Sequence, residues 1–351
     1  MGQPLSPAAP SHRLATLASW NADWSGLRVA VVGLDEVGFS VVDTLVELGA
    51  DVDVIPVAST PNLLELATVI GARIQLGVPE ETGLESVHDP ELLIASPRVP
   101  RSHPALQGAV DRGLPIWSDV DLAWRVRDKS GDPARWLTMT GGSSTSQVAY
   151  LTASMLREAG LRAAPAGGAG VPVLDAIRDP AGFDVLAVEL SSRQLHWVDV
   201  RAAESIAPEA SLALDVAADP SDWHEGAEAH RAALAKIYEN TRLACVYNLG
   251  EPATRDAVEE AEVQEGARAI GFGLGIPGPS DVGVVEGILV DRAFLEERRS
   301  HALELATTAD LAAAGLSTRE DFRDVLAAAA LARAAGVEPR AIREGILNRV
   351  H

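Results

Sequence analysis

Lysine and cysteine are scarce in this chain of 351 residues: Lys129, Lys236 and Cys245 are the only ones. A single cysteine permits no internal disulfide and no thiolate metal cluster. Its setting, Leu243-Ala-Cys-Val-Tyr247, marks it as a small buried hydrophobe. Aromatic residues make up 4% of the chain, which argues for helices packed on sheets and against an aromatic-rich binding surface. Positive charge is also short, with 29 Lys and Arg against 50 Asp and Glu, a net −21. That field repels phosphate backbones and anionic lipid, so nucleic acid and membrane surfaces are excluded as partners. It still allows a nucleotide held locally by backbone amides. No segment approaches the ~20 apolar residues that span a bilayer, and residues 1–12 contain no stretch of signal-peptide length. The expectation is a cytoplasmic protein without membrane insertion.

What is present is apolar and periodic. Hydrophobic residues form 47% of the chain, enough for two or three domains with sizeable cores. Residues 1–25, rich in Pro, Ser and Ala, are expected to be a loose leader. Leu27-Arg-Val-Ala-Val-Val-Gly33, a helical pattern over Phe39 to Leu48 and the run Val52-Asp-Val-Ile55 predict strand, turn, helix and strand of a parallel sheet. Strand-like runs at Leu92 to Ser96 and Ile116-Trp117 complete a Rossmann-like domain over 26–128. The polar, turn-rich stretch from Asp128 to Pro133 places a linker at 129–134. A second α/β domain, 135–351, opens with the strand Arg135 to Thr140 and a helix from about Ser146 to Ala159. Further strands are predicted at Val185 to Leu190, Ser211 to Val216 and Leu243 to Asn248, with a helix over Gly226 to Asn240. Short β-rich segments follow at 270–272 and 284–290, and an alanine-rich helix at Asp321 to Ala335.

Two glycine turns bear on chemistry. Gly33-Leu-Asp-Glu-Val-Gly38 sits where a dinucleotide-binding turn would, but Asp35 replaces its middle glycine and Glu36 follows. Two carboxylates at a helix N-terminus suit the helix dipole and oppose a pyrophosphate. A self-capped structural turn is therefore expected, and a Rossmann dehydrogenase is not. The second turn, Thr138-Met-Thr-Gly-Gly-Ser-Ser-Thr-Ser146, follows a strand and opens a helix. It resembles the T-G-(T/S)-N-G-K-(T/S) phosphate loop of Mur ligases. Gly167-Gly-Ala-Gly-Val-Pro172 is similar to that family's G-N-I-G-x-P, and Val188-Glu-Leu-Ser-Ser-Arg-Gln-Leu195 to its L-E-L-S-S-F-Q-L. Ala95-Ser-Pro97 with His103-Pro104, Asp222-Trp223 and Lys236-Ile-Tyr-Glu-Asn240 match further family stretches, in family order and over nearly the whole chain. The pattern resembles the D-glutamate-adding members in particular.

The resemblance implies a Rossmann-like domain for a UDP-linked muramoyl precursor, then a central P-loop-type ATPase domain. The family's third, amino-acid-holding domain is expected to be absent. Family chemistry uses ATP and Mg²⁺ to form an acyl phosphate that an amino acid then attacks, and it needs clustered counter-charge. Here the motif departs from the pattern. In the loop Gly141, Gly142, Ser143, Ser144, Thr145 and Ser146, the lysine position is Thr145. The second loop glycine is Ser144, whose Cβ is expected to sit where φ must be positive. Asp215-Val-Ala-Ala-Asp-Pro220 carries Pro220 in place of the family histidine. The carbamylated lysine falls at Leu234, and Lys236 lies about 200° further round the helix. The asparagines of two other motifs fall at Gly168 and Asp321. Arg193 and Arg98 replace a phenylalanine and a glycine, and Glu189 remains as a metal-ligand remnant.

These losses lead to the expectation of a catalytically inactive relative with no catalytic, cofactor or metal site. Its role would be a scaffold or regulator bound to a cell-wall synthesis protein. A second reading is a UDP-sugar-binding module using Gly33, Leu34, Ser191 and Gln194. Against it, the family's uracil-contacting positions fall in Ile55-Pro-Val-Ala58, which has no charged residue. A third is an ATP-dependent ligase completed by another chain. His224 and His196, each beside a tryptophan, are expected to be packed polar residues. Asp215, Asp219 and Asp222 are expected to form a solvated loop, and Glu296-Glu-Arg-Arg-Ser300 a charged helical face.

Overall fold

The structure is a computed structural model and describes residues 12–75, 77–216 and 223–349. The chain forms two compact units. The first gathers the described residues up to Asp132 with Pro172–Pro180 and His196–Ile206; the second gathers Pro133–Val171, Ala181–Leu195 and the rest from Ala207.

In the first unit five strands, β1 (Arg28–Val32), β2 (Asp51–Ile55), β3 (Arg73–Ile74), β4 (Leu92–Ala95) and β5 (Ile116–Ser118), lie in the order β3-β2-β1-β4-β5. Every pairing is parallel. The order reverses at β1, the doubly wound arrangement of Rossmann-like sheets. Val29, Ala30, Val31 and Val32 are all buried, as expected of a strand covered on both faces. The helices are α1 (His12–Thr16), α2 (Glu36–Glu47), α3 (Pro61–Val69), α4 (Pro104–Arg112), α5 (Asp119–Arg125) and α7 (Val173–Ile177). Arg178, just past α7, pairs with Asp43 at 2.5 Å and Glu47 at 3.0 Å on α2, so residues 172–180 pack with this unit.

The expected loose leader is corrected from residue 12 onward. Leu14, Leu17 and Trp24 are buried, the Trp24 indole donates to the Ser19 carbonyl at 2.9 Å, and the Arg125 guanidinium bonds the Leu14 and Leu17 carbonyls. Three large apolar side chains tie down a segment whose Pro, Ser and Ala content suggested none.

The second unit has nine strands: β6 (Arg135–Thr140), β7 (Ala163–Gly167), β8 (Val185–Glu189), β9 (Ala210–Ala213), β10 (Ala244–Asn248), β11 (Arg268–Phe272), β12 (Asp281–Val285), β13 (Ile288–Asp291) and β14 (Leu303–Thr307). Their order is β14-β13-β12-β11-β10-β9-β6-β8-β7, antiparallel only where β13 meets its two neighbours. The helices here are α6 (Thr145–Glu158), α8 (Ser192–Trp197), which the division between units crosses, α9 (Ala227–Ala235), α10 (Pro252–Glu260), α11 (Thr308–Ala313), α12 (Arg319–Ala334) and α13 (Pro339–Leu347). Ala327 to Ala332 of α12 are wholly buried, and the five alanines among them let the helix lie close to the sheet and α6. The charged helical face expected at 296–300 is corrected: these residues form turns. Arg292 bonds the Arg298 and Arg299 carbonyls and so folds the segment back.

Candidate functional site

The sequence of strands places the chemistry. The chain leaves β6 for α6 and β7, returns to β8 on one side of β6, and then continues to β9 on the other. Such a switch in strand order opens a crevice beyond the carboxyl ends of the strands. Register puts Met139 beside Glu189 and Thr140 beside Ala213. The loop after β6, the end of β8 and the residues after β9 therefore converge.

Within the loop, Gly141 (φ +99°) and Gly142 (φ +69°) take backbone conformations that side chains resist, and a Cβ on Gly141 would lie 2.2 Å from the Asp215 carbonyl oxygen. Ser144 is different: its φ is −96°, so the expectation that its Cβ opposes the turn is corrected. Ser143 is exposed. Thr145, in the lysine position, is buried, and its hydroxyl donates back to the Gly141 and Gly142 carbonyls. It braces the turn and does not face a ligand. α6 begins here, so its first amides and dipole face the crevice.

Ser146 donates to Glu189 Oε2 at 2.7 Å. Burial pushes the Glu189 carboxyl up from its ordinary value, against this hydrogen bond. The Gly167-Gly168 turn wraps the same carboxylate: a Cβ on Gly167 would meet the Glu189 carbonyl oxygen at 2.2 Å, and one on Gly168 the carboxyl carbon at 2.9 Å. The glycine at 168, where the resemblance expects asparagine, leaves the room that Glu189 occupies.

α12 closes the opposite side. Thr318 caps it, and Asp321 accepts from the Ser317 and Thr318 amides, the Thr318 hydroxyl and the Gln147 amide. Burial pushes Asp321 up, but these donors outweigh it and hold the carboxyl at about 2. Arg323 donates through Nη2 to Ser144 Oγ at 2.7 Å, to Asp324 Oδ1 at 2.8 Å and to Glu320 at 3.2 Å. Asp324 is fully buried, also accepts from Ser144 at 3.1 Å, and its Oδ2 makes no hydrogen bond. Sequence reading passed over Gln147, Arg323 and Asp324. For Arg323 and Asp324 the signal was a charged cluster where the alanine-rich helix begins; Gln147 had none.

The remaining candidates are differently placed. In the first unit, Asp35 caps α2 by accepting from the Gly38 amide at 2.9 Å, a self-capped turn. Arg98, which replaces a family glycine, pairs with Asp35 at 3.4 Å. Gly33 donates to the Ile55 carbonyl and Leu34 to that of Val57, and Leu34 is fully buried. Neither amide is left for a substrate. In the second unit Ser191 and Gln194 bond each other at 2.9 Å and open α8. Leu234 and Cys245 are buried. His224 is buried and bonds Ser192 at 2.9 Å, edge-on to Trp223 and His230. In the first unit His196 meets Trp197 in the same edge-on manner. Asp219, Pro220 and Asp222 lie outside the described residues. Among the described residues no group of three His, Cys, Asp or Glu could by itself hold a metal, and no helix is long and apolar enough to cross a membrane.

Comparison with known proteins adds the family. Residues 27–118 match a family described as "Mur ligase MurD-like, N-terminal domain". The UDP-N-acetylmuramoylalanine–D-glutamate ligase of Leifsonia xyli is 51% identical over 96% of this chain and 66% of its own length. Its namesake from Streptomyces avermitilis is 42% identical over 92% of this chain and 67% of its own. The chain thus spans about two thirds of the length of these curated relatives. A solved UDP-N-acetylmuramate:L-alanyl-gamma-D-glutamyl-meso-diaminopimelate ligase from Neisseria meningitides shares the fold, with a TM-score of 0.56 at 13% identity, covering 93% of this chain and 99% of that one. These findings correct the expectation of a catalytically inactive scaffold, because relatives this similar across the chain are named as ligases. That expectation weighed single side chains, chiefly the loop lysine, more heavily than the intact frame around them.

Proposed function

Because this chain belongs to the UDP-N-acetylmuramoylalanine–D-glutamate ligase family, we propose that it serves the ATP-dependent joining of D-glutamate to UDP-N-acetylmuramoylalanine in the cytoplasm. In this reading the second unit carries the nucleotide on residues 141–146, and the first takes the UDP-linked precursor.

The observation that supports the reading best is the Ser146–Glu189 pair at the end of the loop. Mg²⁺ takes hard oxygen ligands and commonly uses one or two from protein, with phosphates and water filling the rest. A hydroxyl and a desolvated carboxylate 2.7 Å apart fit that demand, and a cation would relieve the cost of burying the charge. When bound, the ion offsets negative charge on the transferring phosphoryl group. The chain's own share is positional. Gly141 and Gly142 shape the turn, Thr145 braces it, α6 presents its amides, and Asp321 with Gln147 joins the starts of α6 and α12.

The test is phosphate release from ATP by the purified chain with Mg²⁺, UDP-N-acetylmuramoylalanine and D-glutamate. Release should exceed that of Glu189→Ala by about a hundredfold or more, the scale of one lost electrostatic contact in a transition state. Release no faster than in that variant would overturn the proposal.

A further inference from the structure

We propose that Arg323 touches the terminal phosphates of the bound nucleotide and supplies from α12 the positive charge that the loop itself lacks. This rests on the nucleotide reading of the 141–146 loop. That loop offers hydroxyls and amides only, and Thr145 turns inward to its own carbonyls. Neither lysine of the chain stands in: Lys129 belongs to the first unit, paired with Glu47, and Lys236 begins a single 3₁₀ turn after α9. Arg323 is the cation whose guanidinium reaches the loop, 2.7 Å from Ser144, the residue that opens α6.

Its geometry suits an anion. Nε and Nη2 are turned toward Asp324, and Nη2 alone also serves Ser144 and Glu320. The Nη1 edge takes part in none of these bonds, and the side chain is 31% exposed. A planar fork fixed along one edge and open along the other is the form in which arginine grips phosphate. Asp324 is the positioning residue: it is buried beneath the guanidinium, bonds Arg323 and Ser144 through Oδ1, and leaves Oδ2 without a hydrogen bond beside the loop. Arg323 would thus hold the phosphates from one side while the α6 amides hold them from the other.

Calorimetric titration of the full chain with MgATP and, separately, MgAMP tests this, using wild type, Arg323→Gln, Arg323→Lys and the exposed control Arg340→Gln. For MgATP, Arg323→Gln should raise Kd at least about tenfold, Arg323→Lys should fall between, and Arg340→Gln should match wild type. AMP lacks the terminal phosphates, so its Kd should not change in any variant. Arg323→Gln binding MgATP within about twofold of wild type would overturn the inference and leave the ligase reading standing. Equal weakening of AMP and ATP would mark Arg323 as merely structural and also overturn it. A wild-type chain that binds neither nucleotide would remove the ligase reading itself, and this inference with it.

Discussion

Glu189 shows how one side chain can carry both a cost and a use. Burial raises its carboxyl above the ordinary value of 4.5, so folding favours the protonated form relative to the unfolded chain. A raised value means stability that is full below the ordinary glutamate range and declines as pH rises through the folded value. Glu189→Gln removes that decline and can still accept from Ser146. Without divalent ions, the variant should melt higher than wild type as pH rises above the ordinary glutamate range, with the two curves converging below it. One kcal/mol corresponds to roughly 2–4 °C for a domain of this size. Melting curves from pH 4 to 8 in a chelating buffer check this, and a variant that melts lower throughout would show that the carboxyl group itself stabilises the fold despite its burial. Glu189 stood out in the sequence through the stretch Val188-Glu-Leu-Ser-Ser, which is similar to the family's L-E-L-S-S-F-Q-L. Arg323 was not: its partner Ser144 lies 179 residues away, and only the fold brings the two together.

At the scale of elements, strands rich in valine and leucine were plain in the sequence, and β1, β2, β6, β8 and β10 lie within a residue or so of where periodicity put them. Others left too little signal. β7 reads Ala-Ala-Pro-Ala-Gly, without a β-branched residue, and β3 has two residues. Each is a strand because a neighbour pairs with it. One close contact between helices is equally silent in sequence. Gly345 of α13 lies against α6 so closely that a Cβ there would be 2.5 Å from the Met155 Cα and 2.7 Å from its backbone nitrogen. Backbone cannot move aside as a flexible side chain can. Gly345→Ala should therefore destabilise the second unit by about 1–3 kcal/mol, the usual cost of overpacking, although alanine is the better helix former. Urea unfolding should show a lower midpoint with the slope retained. An unchanged or higher midpoint would mean that α13 shifts at little cost.

For the whole molecule, the alternation of strands and helices foretold an α/β chain, and the order of motifs foretold two nucleotide-type folds. The return of residues 172–180 and 196–206 to the first unit was not readable, because it depends on pairs such as Arg178 with Asp43. Two units with separate cores need not melt together, since two-state behaviour belongs to single small domains. Scanning calorimetry should resolve two transitions. If the second unit holds nucleotide, MgATP at a hundredfold excess over Kd should stabilise only its transition, by about 2.7 kcal/mol. UDP-N-acetylmuramoylalanine should move the other. Gly345→Ala lowers the second unit alone and so identifies which peak is which. If MgATP moves the peak that this variant leaves in place, the assignment of ligands to units is reversed. If a single peak moves with either ligand, the units unfold as one cooperative body.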